Sequence, residues 1–378
     1  MKILSSPAAL LCLALSVFPR LDAAGPEAPP PLPASAKLVL DENWSTGRIE
    51  PARWYIPRKK WGQGNNGVSP KNVWVQPDVV GGKTKPVLVC RAHGDLYKGP
   101  VVGQGGRKDR VGGIVVTREF FASGRYEVVM KIGGTEARPG GPADPRRPIG
   151  TVPAIWTYGY RYVSVPKADM KQFQASQPLY NPHLNQSNYG ANEYWSELDF
   201  PEFGKDGNFE KALYNTFLQN KHQSRTFDVT PMIDGKYHTL TTDWRTQLLP
   251  IEGVKDSQVV AKHGYHWVQD LAVPYKAYWG NPLKRLGKDK YAVYAGLRAD
   301  HYIDGKKVGE NLVFVPSMAG QLTLGIWLPE WAGKAPWEEA TASFASVKVW
   351  QFNDPGDVRG VITENITDTY REDGSPLR

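Results

Sequence analysis

Short apolar runs separated by turn residues recur along most of the chain. Glycine, proline, asparagine and aspartate punctuate these runs, and such spacing is typical of antiparallel strands joined by turns. No long stretch places apolar residues at positions i, i+3, i+4 and i+7, so we expect no long amphipathic helix. The pattern predicts an all-β protein, a β-sandwich with strands at Leu38–Leu40, Val73–Val75, Val87–Val89, Gly113–Thr117, Tyr126–Ile132, Val152–Tyr158, Tyr237–Asp243, Leu322–Trp327 and Phe344–Phe352.

Three segments interrupt this rhythm. Glu136–Gly150 is rich in glycine, proline and arginine, and Lys167–Asn192 is polar, with several asparagine, glutamine and tyrosine residues. Long loops on a rigid sheet commonly shape a binding site, so we expect these two to do so. The third segment, Thr246–Lys290, shows no regular pattern and is predicted to be irregular.

The N-terminus has the features of a secretory signal peptide. Lys2 is followed by an apolar run over Ala8–Phe18 and by small residues at Ala23 and Ala24. The run is too short to cross a bilayer, and no later segment could cross one. We therefore predict a signal peptide at residues 1–24 and a secreted protein, extracellular or periplasmic, without a membrane span.

The rest of the chain divides into three parts. Residues 25–36 are rich in proline and predict a stiff, extended linker that is not part of the fold. Residues 37–353 carry the predicted strands and form one domain, which we expect to be monomeric. Residues 354–378 are polar and predict a poorly packed tail.

Composition limits how the fold can be stabilised and what it can bind. The chain has only two cysteines, Cys12 and Cys90, and Cys12 lies in the predicted signal peptide. The mature chain therefore forms no intrachain disulfide, and a large core has to stabilise it. The formal charge of +8 suits acidic polymers such as sulfated or uronic polysaccharides, although it also serves solubility. No phosphate loop is present, and we expect no nucleic-acid partner.

Three carboxylates lie within six residues of an apparent strand: Glu197, Asp199 and Glu202. Side chains alternate on a strand, so Glu197 and Asp199 share a face while Glu202 would lie on the opposite one. A one-residue bulge between Asp199 and Glu202 returns Glu202 to that face, and Pro201 is typical of a bulge. We predict three carboxylates on one surface.

A retaining glycosidase requires a pair of carboxylates on one surface. One acts as nucleophile and the other as acid/base, roughly 5–5.5 Å apart. Three neighbouring carboxylates cannot all ionise readily, so at least one pKa is raised and that group can donate a proton near neutral pH. His263 and His266 could ligate a metal, but the loop offers no third ligand, and we predict no metal site.

The segment from Trp195 to Glu202 resembles the catalytic motif of glycoside hydrolase family 16 in its bulged form. Flanking blocks are similar to that family and follow its order: Ser123-Gly-Arg-Tyr-Glu-Val, Pro153-Ala-Ile-Trp156, Tyr237-His238-Thr-Leu-Thr-Thr-Asp-Trp244, Tyr302-Ile-Asp304-Gly305 and Leu324-Gly-Ile-Trp327-Leu-Pro-Glu-Trp331. The resemblance covers Lys37 to Phe352. It implies a concanavalin-A-like jelly roll whose concave sheet forms a glycan cleft.

The resemblance also implies roles for individual residues. Glu197 would be the nucleophile, Glu202 the general acid/base, and Asp199 the residue that holds and tunes them. Sugar rings present apolar faces, which suit aromatic platforms. The substrate-binding candidates are Trp195, Trp327, Trp331 and Trp156, each of which could instead be an ordinary core residue.

Two departures from the family pattern concern the cleft and its supports. Gly325 stands where glucan-cleaving members often have an asparagine, which puts the substrate in question. Ser346 stands where many members have an aspartate that helps to bind structural calcium. We therefore expect no cofactor, and a calcium ion is doubtful.

The leading interpretation is a secreted retaining endo-β-glycanase that acts on β-1,3- or β-1,3-1,4-glucan. An alternative is hydrolysis of a red-algal galactan such as agar, porphyran or carrageenan, or transglycosylation of glucan. A non-enzymatic alternative is a jelly-roll glycan-binding protein. Such a module would be expected to lose a carboxylate, and all three are present.

Overall fold

The structure is a computed structural model that describes residues 27–60, 62–135, 147–163, 185–187, 190–218, 221–268, 278, 280–360 and 366–377. The predicted signal peptide lies outside the described residues. So do residues 136–146 and 164–184, which make up most of the two predicted loops before the carboxylate strand.

Antiparallel strands dominate the described residues, as the alternation of apolar and turn residues predicted. Short 3-10 turns are present, and no helix among the described residues is long and apolar enough to cross a membrane. The strands are β1 (Lys37–Glu42), β2 (Trp54–Tyr55), β3 (Val73–Val80), β4 (Lys83–His93), β5 (Gly113–Phe121), β6 (Gly124–Thr135), β7 (Val152–Val163), β8 (Asn185–Ser187), β9 (Gly190–Glu202), β10 (Lys211–Leu218), β11 (Lys221–Asp228), β12 (His238–Ile251), β13 (Val259–Lys262), β14 (Tyr265–Val268), β15 (Leu283–Gly287), β16 (Lys290–Ile303), β17 (Lys306–Asn311), β18 (Gly320–Trp327) and β19 (Glu339–Gln351).

Two sheets form the predicted jelly-roll sandwich. The larger sheet has the order β13-β14-β15-β16-β12-β6-β19-β4-β3, with β1 paired to β19 and β17 paired to β16. The smaller sheet has the order β11-β10-β9-β7-β18-β5-β2, with β8 paired to β9. Strand β9, which carries the three carboxylates, therefore lies in the interior of the smaller sheet.

The alternation of side chains divides the smaller sheet into two unlike faces. Its inner face packs on the larger sheet, and Ile155, Leu198 and Phe200 lie in the shared core. Its outer face carries a second apolar cluster that includes Ala154 and Trp156. Because Leu198 and Phe200 are anchored in the core, the alternate residues Glu197 and Asp199 are directed to the outer face.

The expectation that Thr246–Lys290 is irregular is wrong. Strand β12 continues to Ile251, and β13, β14 and β15 extend the edge of the larger sheet. This edge extension has its own apolar cluster, made of Val254, Val268, Tyr278, Leu283, Tyr291, Val293 and Ala295. Its strands are only four or five residues long, too short to show a clear period of two in the sequence.

The linker is also part of the fold, contrary to the prediction. Within residues 27–36, the carbonyl of Glu27 accepts from the Lys307 N–H (3.0 Å), and the carbonyl of Pro30 accepts from Arg125 Nη2 (2.7 Å). The hydroxyl of Ser35 donates to the carbonyl of Phe352 (3.0 Å). Proline-rich backbone keeps its carbonyls free, and here they satisfy donors on the sheet.

The prediction of a poorly packed tail is wrong for the described residues 354–360 and 366–377. Val358, Ile366 and Tyr370 are buried there, and the Tyr370 hydroxyl donates to the carbonyl of Val68. Asp354 accepts two bonds from the Arg245 guanidinium, at 2.7 and 2.9 Å. The tail is polar on average, and this average hid the few apolar residues that are buried and the charged residues that form ion pairs.

Replacing Tyr370 with alanine should destabilise the protein, because it removes a buried ring and its hydroxyl contact. We expect the free energy of unfolding to fall by about 3 kcal/mol, measured by urea denaturation. Leu377, in the same tail, is 41% exposed, and Leu377→Ala should change the stability by less than about 0.5 kcal/mol. Equally small effects of both variants would show that the tail does not brace the fold.

Candidate active site

The bulge predicted between Asp199 and Glu202 is present. On β7, Trp156 lies opposite Asp199 and Ala154 lies opposite Glu202, so β9 has one more residue than β7 in this interval. The pairing of β9 with β10 shows the same extra residue. The peptide bond between Phe200 and Pro201, inside the bulge, is cis. The bulge brings Glu202 to the outer face with Glu197 and Asp199.

The three carboxyl groups form one compact cluster. Asp199 is its most buried member, only 2% exposed, whereas Glu197 and Glu202 are half-buried. From β10, Nδ2 of Asn215 donates to Asp199 Oδ2 (2.8 Å) and to Glu202 Oε2 (2.9 Å). One amide therefore holds two of the carboxyl groups in fixed relation.

Burial raises the pKa of all three groups. For Glu197, repulsion from Asp199 and Glu202 adds to the effect of burial and keeps the pKa well above its usual value. The pKa of Glu202 is raised well above its usual value by burial and then by Asp199. Burial raises the pKa of Asp199 to about 7, against the hydrogen bond from Asn215. The cluster therefore retains protons near neutral pH.

Aromatic side chains surround Glu197. The indole Nε1–H of Trp195 donates to Glu197 Oε2 at 2.6 Å. The Trp195 ring stacks on Phe217, with centroids 5.2 Å apart and planes 2° apart, and meets Tyr158 edge-on at 6.2 Å. Tyr158 lies directly opposite Glu197 in the pairing of β7 with β9. These contacts fix the orientation of the indole and leave it half-buried at the outer face.

The structure places the other predicted tryptophans on the same outer face. Trp156, opposite Asp199, is 6% exposed and belongs to the outer apolar cluster. Trp327 and Trp331 are half-buried, pack against that cluster and meet edge-on at 6.0 Å. Trp195 therefore adjoins the carboxyl groups directly, and Trp156 supports them from the neighbouring strand.

Sequence reasoning missed three residues of this site: Asn215, Phe217 and Tyr158. Their contacts depend on which strands pair with β9, and that pairing is not written in the motif itself. Asn215 did leave a signal, because it is a polar residue within the otherwise mostly apolar run Ala212–Leu218. A buried amide in a strand next to a carboxylate strand is a candidate partner, since buried polar groups require hydrogen bonds.

The glycine at position 325 has a steric basis. It lies on β18, and a Cβ atom there would approach the carbonyl oxygen of Gly113 on β5 to 2.4 Å. Neighbouring backbone therefore leaves no room for a side chain. The departure noted at this position reflects close strand packing.

The described residues contain no group of three or more His, Cys, Asp or Glu side chains that could hold a metal ion. His263 occupies a turn and meets the ring of Tyr194 edge-on at 5.9 Å. His266 lies on β14, where its ring meets Tyr291 at 6.1 Å. Within the described residues, each histidine ring of the pair therefore packs against a tyrosine ring.

No family model matches the sequence, and no curated protein matches it.

Among solved structures, the chain is similar to a prokaryotic β-1,3-1,4-glucanase (lichenase) derived from a mouse hindgut metagenome. The two are 17% identical over 82% of this chain and 97% of that chain, with a TM-score of 0.44. It is similar to a glycoside hydrolase family 16 endo-glucanase from Bacteroides ovatus, with 13% identity over 82% and 99% of the two chains and a TM-score of 0.46. It is also similar to an endo-1,3-β-glucanase (laminarinase) catalytic domain from Thermotoga petrophila, with 12% identity over 84% and 98% and a TM-score of 0.45. Likenesses this distant do not establish what this chain does, which has to be judged from its own residues.

The raised pKa of Glu197 makes stability depend on pH. The folded state keeps this proton above the pKa of about 4.3 that glutamate has in an unfolded chain. Folded protein therefore binds more protons than unfolded protein, and the contribution of Glu197 to stability decreases as pH rises from about 4.3 through its raised pKa. Each pKa unit corresponds to about 1.4 kcal/mol.

We expect Glu197→Gln to become progressively more stable than the wild type between pH 5 and pH 8, as measured by urea denaturation across that range. The exposed Glu119 on β5 provides the control, because Glu119→Gln should leave the pH dependence unchanged. A constant difference between Glu197→Gln and wild type would contradict the raised pKa.

Proposed function

We propose that this protein is a retaining endo-β-glycanase that hydrolyses O-glycosyl bonds of a polysaccharide, with β-1,3- or β-1,3-1,4-glucan as its first substrate. The observation that supports this most strongly is the carboxyl cluster of Glu197, Asp199 and Glu202. It lies on one face of an interior strand, it is held by the Asn215 amide, and an indole donates to Glu197.

In the proposed first step, the Glu197 carboxylate attacks the anomeric carbon of the bound sugar. The glycosidic bond breaks as Glu202 transfers its proton to the departing oxygen, leaving a glycosyl ester on Glu197. In the second step, Glu202 takes a proton from water, and the resulting hydroxide oxygen attacks the same carbon and releases Glu197. Together, the two steps return Glu197 to a carboxylate and Glu202 to its protonated form, and the sugar keeps its anomeric configuration.

The electrostatics of the cluster act on both glutamates. Burial and repulsion from Asp199 raise the pKa of Glu197 and of Glu202, which favours the protonated form that has to donate. Each glutamate also accepts one hydrogen bond that favours its ionised form, Glu197 from the Trp195 indole and Glu202 from the Asn215 amide. The charge of Asp199 acts on both glutamates, so the protonation of the cluster can change when the charge on Glu197 is lost to the ester.

The aromatic residues of the outer face provide a surface for the sugar chain. We assign Trp195 to the sugar at the cleavage point, because it adjoins Glu197 and is braced from behind by Phe217. Trp327 and Trp331 would contact sugars further along the polysaccharide. Trp156 would support the carboxyl groups from the neighbouring strand β7. Stacking on such rings suits the apolar faces of sugars.

One observation favours an acidic galactan as a second candidate substrate. Lys59 is half-buried, its Nζ donates to the Tyr160 hydroxyl (3.4 Å), and desolvation lowers its pKa to about 8. The Tyr160 ring meets Tyr158 at 5.0 Å, next to Trp195. A cation at this end of the aromatic surface would suit a sulfate group, and the formal charge of +8 agrees.

The proposed setting is outside the cytoplasm, on the strength of the N-terminal pattern, with the protein acting as a monomer. Transglycosylation remains an alternative outcome of the second step, in which a sugar hydroxyl replaces water. Incubation with a panel of polysaccharides, followed by assay of new reducing ends and of chain lengths, distinguishes these candidates, because transglycosylation changes chain lengths without adding reducing ends. Binding with neither new reducing ends nor changed chain lengths on every member would favour a glycan-binding protein instead.

Glu197→Gln is the sharpest test of the proposed roles. It preserves the shape of the side chain and removes the attacking charge, so kcat should fall by roughly a thousandfold or more while the Kd for the glycan stays similar. Added azide or formate should restore part of the activity by acting as a small nucleophile in the vacated space.

Activity on the preferred polysaccharide should be measured for Glu197→Gln and for the control Glu119→Gln, which should behave as the wild type. Full activity in Glu197→Gln would rule out Glu197 as the nucleophile.

A further inference from the structure

Strand β9 has a second irregularity, just before the carboxyl groups. Ser196 lies opposite Gly159 and Glu193 lies opposite Arg161, so β9 again has one more residue than β7. Within this interval the backbone of Tyr194 has a φ of +56°. That conformation is uncommon for a bulky residue and has to be stabilised by its surroundings.

At this second bulge, two adjacent aromatic side chains point to opposite faces of the sheet, as neighbours on a strand do. Tyr194 is completely buried, in a cluster with Trp267, Met318 and Val358. Trp195 reaches the outer face, where its indole donates to Glu197. On the buried side, Ser196 Oγ also donates to the carbonyl of Met318 (2.8 Å).

Trp267 comes from the opposite sheet. It lies on β14, in the edge hairpin formed by β13 and β14 (Val259–Val268), and its ring centroid is 5.0 Å from that of Tyr194. Its Nε1–H donates to the carbonyl of Lys262 (2.8 Å), which closes the same hairpin. The indole is completely buried, so its position is determined by the hairpin and by Tyr194 together.

A continuous set of contacts therefore connects the edge hairpin to the carboxyl cluster. We propose that Trp267 is a positioning residue for the reaction: by packing on Tyr194 it holds the bulge that keeps the Trp195 indole hydrogen-bonded to Glu197. This inference rests on the proposed function, because it is the ionised state of Glu197 that the indole favours.

The consequence for chemistry follows from the groups that face Glu197. Burial, then repulsion from Asp199 and Glu202 on its own strand, raises the pKa of Glu197, and the Trp195 N–H lowers it. Tyr158 on β7 has its own pKa raised, by burial and by Glu197. On β10, Phe217 lies opposite Glu197, and the Asn215 amide donates to Asp199 and Glu202; neither residue carries a charge. Loosening Tyr194 would weaken the indole hydrogen bond, and Glu197 would then ionise at a higher pH.

The test compares two truncations within the edge extension. Trp267→Leu removes the ring that contacts Tyr194. Val254→Ala, the control, removes methyl groups from the separate apolar cluster of the extension, to which Tyr194 does not belong. Two quantities are measured: the acidic limb of the kcat/KM profile, and the indole ¹H–¹⁵N resonance of Trp195, assigned by its disappearance in Trp195→Phe.

We expect Trp267→Leu to move the acidic limb to higher pH by about one unit, the effect of losing one hydrogen bond to a charged acceptor. The Trp195 indole proton should move upfield as its bond weakens. Val254→Ala should change neither quantity, and Trp267→Phe, which keeps an aromatic ring, should show a smaller shift than Trp267→Leu.

An unchanged Trp195 resonance in Trp267→Leu would overturn the inference, and so would equal changes in Val254→Ala. If Trp267→Leu does not fold, Trp267→Phe supplies the same comparison. If the wild type cleaves no polysaccharide, the proposed function fails, but the indole resonance still decides whether Trp267 positions Trp195.

Discussion

The rest of the site depends on one constraint: three carboxyl groups have to share a small, partly desolvated surface. Burial and mutual repulsion raise their pKa values. Neighbouring elements supply the contacts that hold the three groups in place. The bulge at Phe200–Pro201 brings the groups together, Asn215 donates to two of them, and Trp195 donates to the third. A cluster of this kind holds protons at neutral pH and can release them one at a time, as acid/base chemistry requires.

Packing between the two sheets holds this cluster in place. Leu198 and Phe200, which alternate with the carboxylates, are anchored in the core between the sheets, where Phe200 meets Tyr126 at 5.3 Å. The strand is therefore anchored in the core on one side and carries the three carboxyl groups on the other, which limits how far these groups can move apart to relieve repulsion. The edge extension and the packed tail, which meet at the Tyr194 cluster through Trp267 and Val358, add bracing outside the core.

What the sequence predicted well was local. The period of two along a strand and the proline at position 201 were sufficient to predict the bulge and the shared face of Glu197, Asp199 and Glu202. The same period predicted the core strands, because their apolar residues lie on one or both buried faces. These features depend on neighbours within a few residues, so the order of residue types along the chain is enough to predict them.

What the sequence did not show depends on contacts between distant segments. Asn215 and Phe217 belong to the site only because β10 pairs with β9, and Trp267 acts on Tyr194 only because an edge of the larger sheet reaches β9. The polar tail was judged from its average composition, although Tyr370 and Asp354 have buried or ion-paired partners on the sheets. Strand pairing and packing between distant segments place these residues, and neither produces a repeating pattern in the local sequence.

The measurement that tests the central claim most directly is the anomeric configuration of the first product. The proposed double displacement at Glu197 inverts the anomeric carbon twice and so retains its configuration. Proton NMR during the first minutes of polysaccharide cleavage should therefore show the β anomer at the new reducing end, with the α anomer growing later by mutarotation. Initial appearance of the α anomer would contradict double displacement at Glu197.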